Sequence, residues 1–472
     1  MVYEGISTDL PRSFYYNLRK LSGGFSKQQI KVMADRDKCI PSDIATFRFP
    51  IGSILNLQSL QFHGKITSTG TNATIMPKYG GSSLIKRMSV SINNVTAQII
   101  NDYNLVYNTY ADHNYGNLTK RYGEFFDTTT RFTEATPTDA NPVQLAGANL
   151  LATGTAHLSN ERFVINHFLG LLSGGSTPVW STDMLGEIVV SIQWAEVGVL
   201  CGTAKSTAVT YTDNSYEITS MYMLVESYSF SSDEYYNKLN EADKMIGFSD
   251  YIVNRFPATT KSVGVNVNCY ISASSLDCVI GTALTADGIT SVVKPMVGYS
   301  VNDTGSTVSN IYKYLADPVA STGNTGSTRA SKYGDGFFSS LNLLRDLQFI
   351  KTSIFSINNR QIGFAPLDPL EIHQQNLLSL GYENLDLGAD GYNPAAVSLK
   401  HYFKYYGCCF QDLSLLNPSV FYLSGLNTQG ASCALNWTAQ FDTGSTQQIF
   451  PILITKCSRV LEVGAGRQIS VI

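Results

Sequence analysis

The chain reads as all-β, two tandem eight-stranded antiparallel sandwiches with short inserted helices, and three observations lead there. The first is the stretch Leu84 to Ile100, in which β-branched residues alternate with polar ones on either side of Asn93-Asn94. Asparagine tolerates the left-handed backbone that a two-residue hairpin turn needs, so the stretch reads as two strands around a tight corner. The second is an echo 265 positions later: Ile85, Lys86 and Ser91-Ile92-Asn93-Asn94 return without gaps as Ile350, Lys351 and Ser356-Ile357-Asn358-Asn359. The third is composition. Charged residues are 15% of the chain, against about 25% in an ordinary globular protein, while Tyr (27), Phe (23) and Gly (38) are plentiful. An echo of sequence together with element order points to two copies of one unit, and 472 residues accommodate two domains of about 200 residues each.

Residues 1–43 mix charge with Phe14, Tyr15 and Tyr16 and end in Lys27 to Met33, which reads as two short basal helices or an extended arm. The first sandwich runs over 44–230. Leu60 to Ile66 alternates as a half-buried strand, and the hairpin at Asn93-Asn94 follows a glycine-bearing loop. After it, Leu105, Val106 and Tyr110 fall at helical spacing behind Asn101 or Asp102 as a cap. Residues 115–156 form a long polar excursion, and long structured loops are uncommon without a job. Strands resume at Arg162 to Leu169, Gly186 to Trp194 and Tyr216 to Glu226. Eight strands with a single helix suit an antiparallel sandwich of two four-stranded sheets and not an α/β domain.

Residues 231–248 form the linker, with Ser232 to Met245 as a helix whose Tyr235, Leu239 and Ala242 share a face. The second sandwich runs over 249–472. Ser262 to Cys269 and Leu276 to Gly281 are strands, residues 298–336 another large polar loop, and the second hairpin leads into a helix over Asp368 to Leu378 with Leu370, Gln374, Leu377 and Leu378 as its face. A further polar loop spans 381–393, followed by strands at Tyr402 to Phe410, Ala431 to Phe441 and Phe450 to Val460. Aligning Gly186 to Trp194 with Gln429 to Trp437 sets Trp194 and Trp437 at equivalent places, as core or interdomain anchors or, alternatively, as a stacking platform for a sugar or base.

Chemistry is sparse. Net charge near -4 offers no basic stripe with which to neutralise phosphates, so no sequence-specific nucleic-acid binding is expected. The eight cysteines contain no CxxC pair, which fits reduced thiols. The histidines His63, His113, His157, His167, His373 and His401 show no HExxH or i,i+4 pairing, so no metal or other cofactor is expected. Asp102 with Asp112, and Asp368 with Glu371, are the available carboxylate pairs; capping and solvated helix faces account for them. Lys78 to Ser83 has the glycines of an anion-binding loop without the strand-to-helix context, and reads as a turn. Asn94-Val-Thr96 and Asn436-Trp-Thr438 match the glycosylation triplet, yet with no leader or apolar span in view the chain is expected to be made in cytosol or nucleus, leaving both as sheet residues.

The Ile-Lys strand, the small-residue corner and the short helix after it resemble the major capsid proteins of the double jelly-roll virus lineage, and the span from Phe163 to Trp194 is similar to the later part of that family's first jelly roll. The lineage covers adenoviruses, membrane-containing phages, virophages, polinton-like viruses and nucleocytoplasmic large DNA viruses, the last groups being nearest in pattern. Their corner is usually Gly-Gly, where this chain has asparagines. The resemblance implies two jelly rolls per chain, a homotrimer with a pseudo-hexameric footprint, and a place in the virion capsid of a tailless icosahedral double-stranded DNA virus, assembled in host cytoplasm or a viral factory. Partners would be neighbouring capsomers, penton and minor capsid proteins and an internal membrane, and Asn93, Asn94, Asn358, Asn359, Trp194 and Trp437 would be structural positions. Duplication lets a three-fold object fill a six-fold lattice site. Rival readings are a two-domain carbohydrate-binding attachment protein and a polysaccharide-active enzyme on a β scaffold.

Overall fold

The computed structural model describes residues 25–70, 74–75, 77, 80–111, 161–173, 179–202, 212–230, 244–285, 294–295, 345–380, 402–403, 407–414, 423–429, 433–442, 444, 446–464 and 468–471. The expected loops at 115–156, 298–336 and 381–393 lie outside them, as do most of the N-terminal arm and residues 231–243 of the expected linker helix.

Each unit is a pair of antiparallel sheets, one of six strands and one of four, and the six-stranded sheet is a four-strand path with two short strands added beside it. In the first, β1 (Phe25–Met33), β2 (Ile44–Phe49), β3 (Ile54–Thr69), β4 (Ile85–Ile92), β5 (Val95–Asn101), β6 (Glu161–Ile165), β7 (Ile188–Trp194) and β8 (Ser215–Phe230) form one sheet in the order β1-β8-β3-β6 and a second in the order β2-β7-β4-β5. The second unit repeats this. Strands β9 (Lys244–Arg255), β10 (Val265–Ile271), β11 (Ser275–Thr285), β12 (Ile350–Ile357), β13 (Arg360–Leu367), β14 (Cys408–Asp412), β15 (Cys433–Phe441) and β16 (Gln448–Gly464) give β9-β16-β11-β14 and β10-β15-β12-β13. Adding eight to each label converts one topology into the other. Helix α1 (103–111) follows β5 and helix α2 (Pro369–Leu380) follows β13.

The repetition extends to single residues. Asn93 and Asn94 take φ of 47° and 64°, Asn358 and Asn359 φ of 50° and 63°. Positive φ at both central residues is the signature of a type I′ turn, whose twist matches that of the strands it joins. The turn amide is held alike in both units: Asn93 N donates to Glu187 O at 2.8 Å, and Asn358 N to Ala434 O at 2.9 Å. Pairing then runs in step to one irregularity. Trp194 lies opposite Ile85 with Lys86 skipped, and Phe441 lies opposite Ile350 with Lys351 skipped. The repeated Ile-Lys is therefore a β-bulge, whose spare residue turns its ammonium outward to a carboxylate: Lys86 to Asp102 at 2.5 Å and Lys351 to Asp442 at 2.6 Å.

This register corrects several expectations. Ile188 pairs with Ile92 and Leu435 with Ile357, so Trp437 occupies the place of Val190 and Trp194 the place of Phe441; the two tryptophans are not equivalent. Lys27 to Met33 is neither helix nor free arm but part of β1, paired along β8 from Phe25↔Phe230 to Met33↔Tyr222. Only Val32 is buried and Ile30 half-buried there, while Lys27, Gln29 and Lys31 face water, so the apolar signal was thin. Lys244 and Met245 open β9 instead of closing a helix. Residues 402–403 are helical, and the strand expected from Tyr402 begins at Cys408.

Helix α2 opens with a reciprocal capping box: Glu371 N donates to Asp368 Oδ1 and Asp368 N to Glu371 Oε2, each at 2.9 Å. Its buried residues are Ile372, His373, Asn376 and Leu377, whereas Leu370, Gln374 and Leu378 of the expected face are exposed. Asn376 decides the rotation by closing three hydrogen bonds, donating to Cys408 O and Tyr402 Oη and accepting from Phe410 N.

In each sandwich a glycine of the third strand lies beneath an aromatic ring. A Cβ on Gly64 would come within 3.1 Å of the Phe163 ring, and one on Gly281 within 2.4 Å of the Trp437 indole. We expect Gly281→Ala to cost about 1–3 kcal/mol in denaturant unfolding, the usual toll of overpacking. A further Trp437→Phe exchange should recover part of it, because the two changes share one space.

Candidate functional site: the seam between the two sandwiches

The corners and tryptophans singled out from sequence lie apart from one another. Asn94 is exposed at a hairpin tip and Asn93 half-buried beside it. Trp194 is buried against Phe62 and Phe163, with ring centroids 5.4 and 6.4 Å away. Trp437 is buried on Phe355, and its Nε1 donates to Ser353 Oγ at 3.0 Å. Both tryptophans are interior packing residues, each inside one sandwich.

What joins the sandwiches is a surface the sequence did not mark. Strand β11 is buried at every position from Ser275 to Leu284. Its Leu276, Val279 and Ala283 pack into its own sandwich. Cys278, Ile280 and Leu284 turn the other way, and with Phe248 and Ile454 they share a buried cluster with first-unit residues. From the first unit, β5 and the turn Gly170–Ser173 lie against β9 of this sheet, and α1 reaches β11 through Tyr110. Helix α1 is consequently buried on nearly every side, from Tyr103 through Thr109.

Polar groups fix the register of this apolar contact. Gln98 Nε2 donates to Ser249 O and to Asp250 Oδ1, both at 2.9 Å, while its Oε1 accepts from Leu171 N at 2.7 Å. Gly170, at φ 72°, leaves the room this amide needs, since a Cβ there would lie 2.3 Å from Gln98 Oε1. Asp102, at φ 49°, accepts two hydrogen bonds from Arg255, Nε to Oδ2 at 2.7 Å and Nη2 to Oδ1 at 2.8 Å, besides the Lys86 contact. Its backbone carbonyl receives the first amides of α1, but its carboxylate is committed to the seam and not to capping. Farther along, the Tyr110 hydroxyl lies 3.5 Å from Cys278 Sγ, and its ring meets Tyr251 edge-on at 5.6 Å.

Burial works against ionisation of Asp102, yet the Arg255 hydrogen bonds and the Lys86 charge outweigh it and hold the carboxyl below the usual carboxylate range. Burial pushes the Cys278 thiol up to about 11, so it stays protonated at neutral pH. Cys457 rises to about 12 for the same reason. The cysteines whose side chains are described are all free thiols, buried except for half-buried Cys269. Desolvation also lowers His63 and His373. His63 bonds Gln61 and stacks on Tyr222, and His373 packs edge-on against Tyr402. Among the described residues no group of three or more metal-ligating side chains converges, and no helix is long and apolar enough to cross a membrane.

No protein-family model matches the chain, and no curated protein matches it in sequence. Solved structures do match over nearly its whole length. The PBCV-1 protein VP54, fitted into a cryo-EM reconstruction of the virophage Sputnik, superposes with a TM-score of 0.57 at 9% identity, covering 97% of this chain and 99% of that one. A quasi-atomic model of the PBCV-1 virus capsid gives 0.56 at 9% identity with the same coverage. The cryo-EM structure of the Sputnik virophage gives 0.50 at 9% identity, covering 99% and 93%. This chain is a double jelly roll. The strand orders found above are the two interleaved sheets of that fold, made twice, and the seam is where one jelly roll of the chain meets the other.

Seam electrostatics give this double jelly roll a defined pH response. A carboxylate whose folded pKa lies below its unfolded value adds stability that is full above about pH 4 and disappears as pH falls through the folded value. Asp102→Asn should therefore cost about 1–3 kcal/mol at neutral pH and progressively less in acid, with the wild-type and variant unfolding curves converging as pH falls through the lowered pKa of Asp102. Arg255→Ala should show the same convergence.

Proposed function

We propose that this protein is a major capsid subunit, forming homotrimeric, pseudo-hexameric capsomers of a tailless icosahedral double-stranded DNA virus. The observation that carries the reading is the exact-register duplication: corner, bulge and turn hydrogen bond recur in both units on one shared topology. A chain holding two like modules contributes two-sixths of a hexagon, so three chains fill a site with six neighbours while two kinds of lateral surface adapt to different contacts. Full-length superposition on proteins from a virus capsid and a virophage supports the same reading.

The role is mechanical. Among the described residues no metal-ligating group converges, and on this reading the protein works through area and shape. Its place is the virion shell. Its partners are two further copies of itself, neighbouring capsomers, a separate protein at the five-fold vertices, minor capsid proteins and an internal membrane. The small charge of -4 leaves genome neutralisation to other components.

The purified full chain tests this directly. Light scattering should give three times the 51.6 kDa monomer mass, and electron micrographs of the same fraction should show three-fold particles with six-sided outlines. A stable monomer at micromolar concentration would contradict the reading.

A further inference from the structure

In the second jelly roll a lysine and an aspartate meet out of water. Lys261 follows the two-residue strand Thr259–Thr260 ahead of β10 and is wholly buried, and Asp346, shortly before β12, is 7% exposed. Lys261 Nζ donates to Asp346 Oδ1 at 2.6 Å and to Gln447 Oε1 at 2.8 Å, while Gln447 Nε2 donates to Asp346 Oδ2 at 3.1 Å. The three side chains thus close a ring of hydrogen bonds, with the ammonium 5.9 Å from the centroid of the Phe441 ring. Backbone contacts fix each member: Lys261 N donates to Gln447 O at 3.0 Å, Asp346 N to Ala283 O at 2.9 Å and Gln348 N to Asp346 Oδ1 at 2.9 Å.

The fold does not demand this pair. Counting back from the repeated hairpin, Asp346 stands where the first unit has Gly81; counting back from the strand register, Lys261 stands where it has Pro41. A buried ion pair is a costly way to fill an interior, since each charge is withdrawn from water. One reaction open to these two groups removes both charges at once.

We propose that Lys261 and Asp346 condense into an isopeptide bond between Nζ and Cγ, a covalent crosslink inside the second jelly roll. The ammonium passes a proton along the 2.6 Å hydrogen bond to Oδ1, leaving an amine and an acid, the uncharged forms that an apolar interior favours. The amine lone pair adds to Cγ, a second proton moves from Nζ to Oδ1, and the Cγ–Oδ1 bond breaks as Oδ1 departs in a water molecule. Oδ2 remains as the amide carbonyl oxygen. Gln447 touches both reacting groups: its Oε1 orients the amine, and its Nε2 donates to Oδ2, where negative charge gathers as the amine adds. Nothing is oxidised or reduced and no co-reactant enters. Holding the groups in contact makes an otherwise bimolecular condensation intramolecular.

The bond joins positions 85 apart and encloses β10 and β11 in one covalent ring. Such a ring limits how far the unfolded chain can spread, which suits a subunit whose work is mechanical. It goes beyond the capsid reading and stands or falls separately from it.

Intact-mass spectrometry of the denatured full-length chain tests the bond. The wild type should weigh about 18 Da less than its sequence, one water lost, and trypsin should release a branched peptide joining Asp346–Lys351 to the segment that carries an uncleaved Lys261. Lys261→Arg keeps a cation beside Asp346 without a nucleophilic amine; it should show its full sequence mass and, by circular dichroism, a folded state that melts below the wild type. Gln447→Ala, at an exposed position, should leave part of the protein at full mass. A wild type at its sequence mass, a water loss mapped to other residues, or the same deficit in Lys261→Arg would overturn the bond, and complete conversion in Gln447→Ala would overturn the part given to Gln447. Should Lys261→Arg fail to fold, the wild-type peptide map decides alone.

Discussion

A sheet with two apolar faces must be covered on both, and the architecture of this chain follows from that requirement. Strand β11 carries Leu276, Val279 and Ala283 toward its own partner sheet and Cys278, Ile280 and Leu284 away from it. Burying an aliphatic side chain of this size contributes about 1.5–3 kcal/mol relative to leaving it in water, so the second jelly roll left bare would forfeit the outward set. The first jelly roll supplies the cover with α1, β5 and the turn at Gly170. Apolar contact alone is indifferent to sliding. Gln98 and the Asp102–Arg255 pair make one position better than its neighbours, since a slip would strand buried amide and carboxylate groups without partners.

The likeness between the two units is carried by backbone requirements more than by side-chain identity. A type I′ corner needs two residues that accept positive φ, and a bulge needs a spare residue able to face water. Asn-Asn and Ile-Lys meet those needs in both copies. Core positions are freer, because a sandwich interior asks for total volume and not for a given residue at a given place. Thus Trp437 stands where the first unit has Val190, and Phe441 where it has Trp194. In the second unit Gly281 yields the space its indole fills.

This explains what the sequence disclosed and what it concealed. The hairpins, the helices behind them, the eight-strand count and the duplication were all legible, since each depends on residues close together in the chain. Aligning the tryptophans misled, because a large rare side chain marks core volume and not register. β1 escaped notice because only Ile30 and Val32 point inward between exposed charges. The face of α2 was misassigned because Asn376, a polar residue, faces in to satisfy Cys408 and Phe410 while leucines face out. Gln98, Asp102 and Arg255 went unmarked as a set because their partners lie about 150 positions away, beyond any local pattern. One signal for the seam was present: Leu276 to Leu284 is apolar almost without alternation, whereas Leu60 to Ile66 alternates, and a strand buried on both faces reads in that way.

The central claim is that the seam makes one cooperative body of two jelly rolls, and native-state hydrogen exchange reads it directly. Amides of β11 in the second unit and of β5 in the first should exchange through the same opening, with equal free energies and equal dependence on denaturant, because uncovering one exposes the other. Should β11 stay protected under conditions where β5 has already opened, the second jelly roll does not need its cover, and the account fails at its foundation.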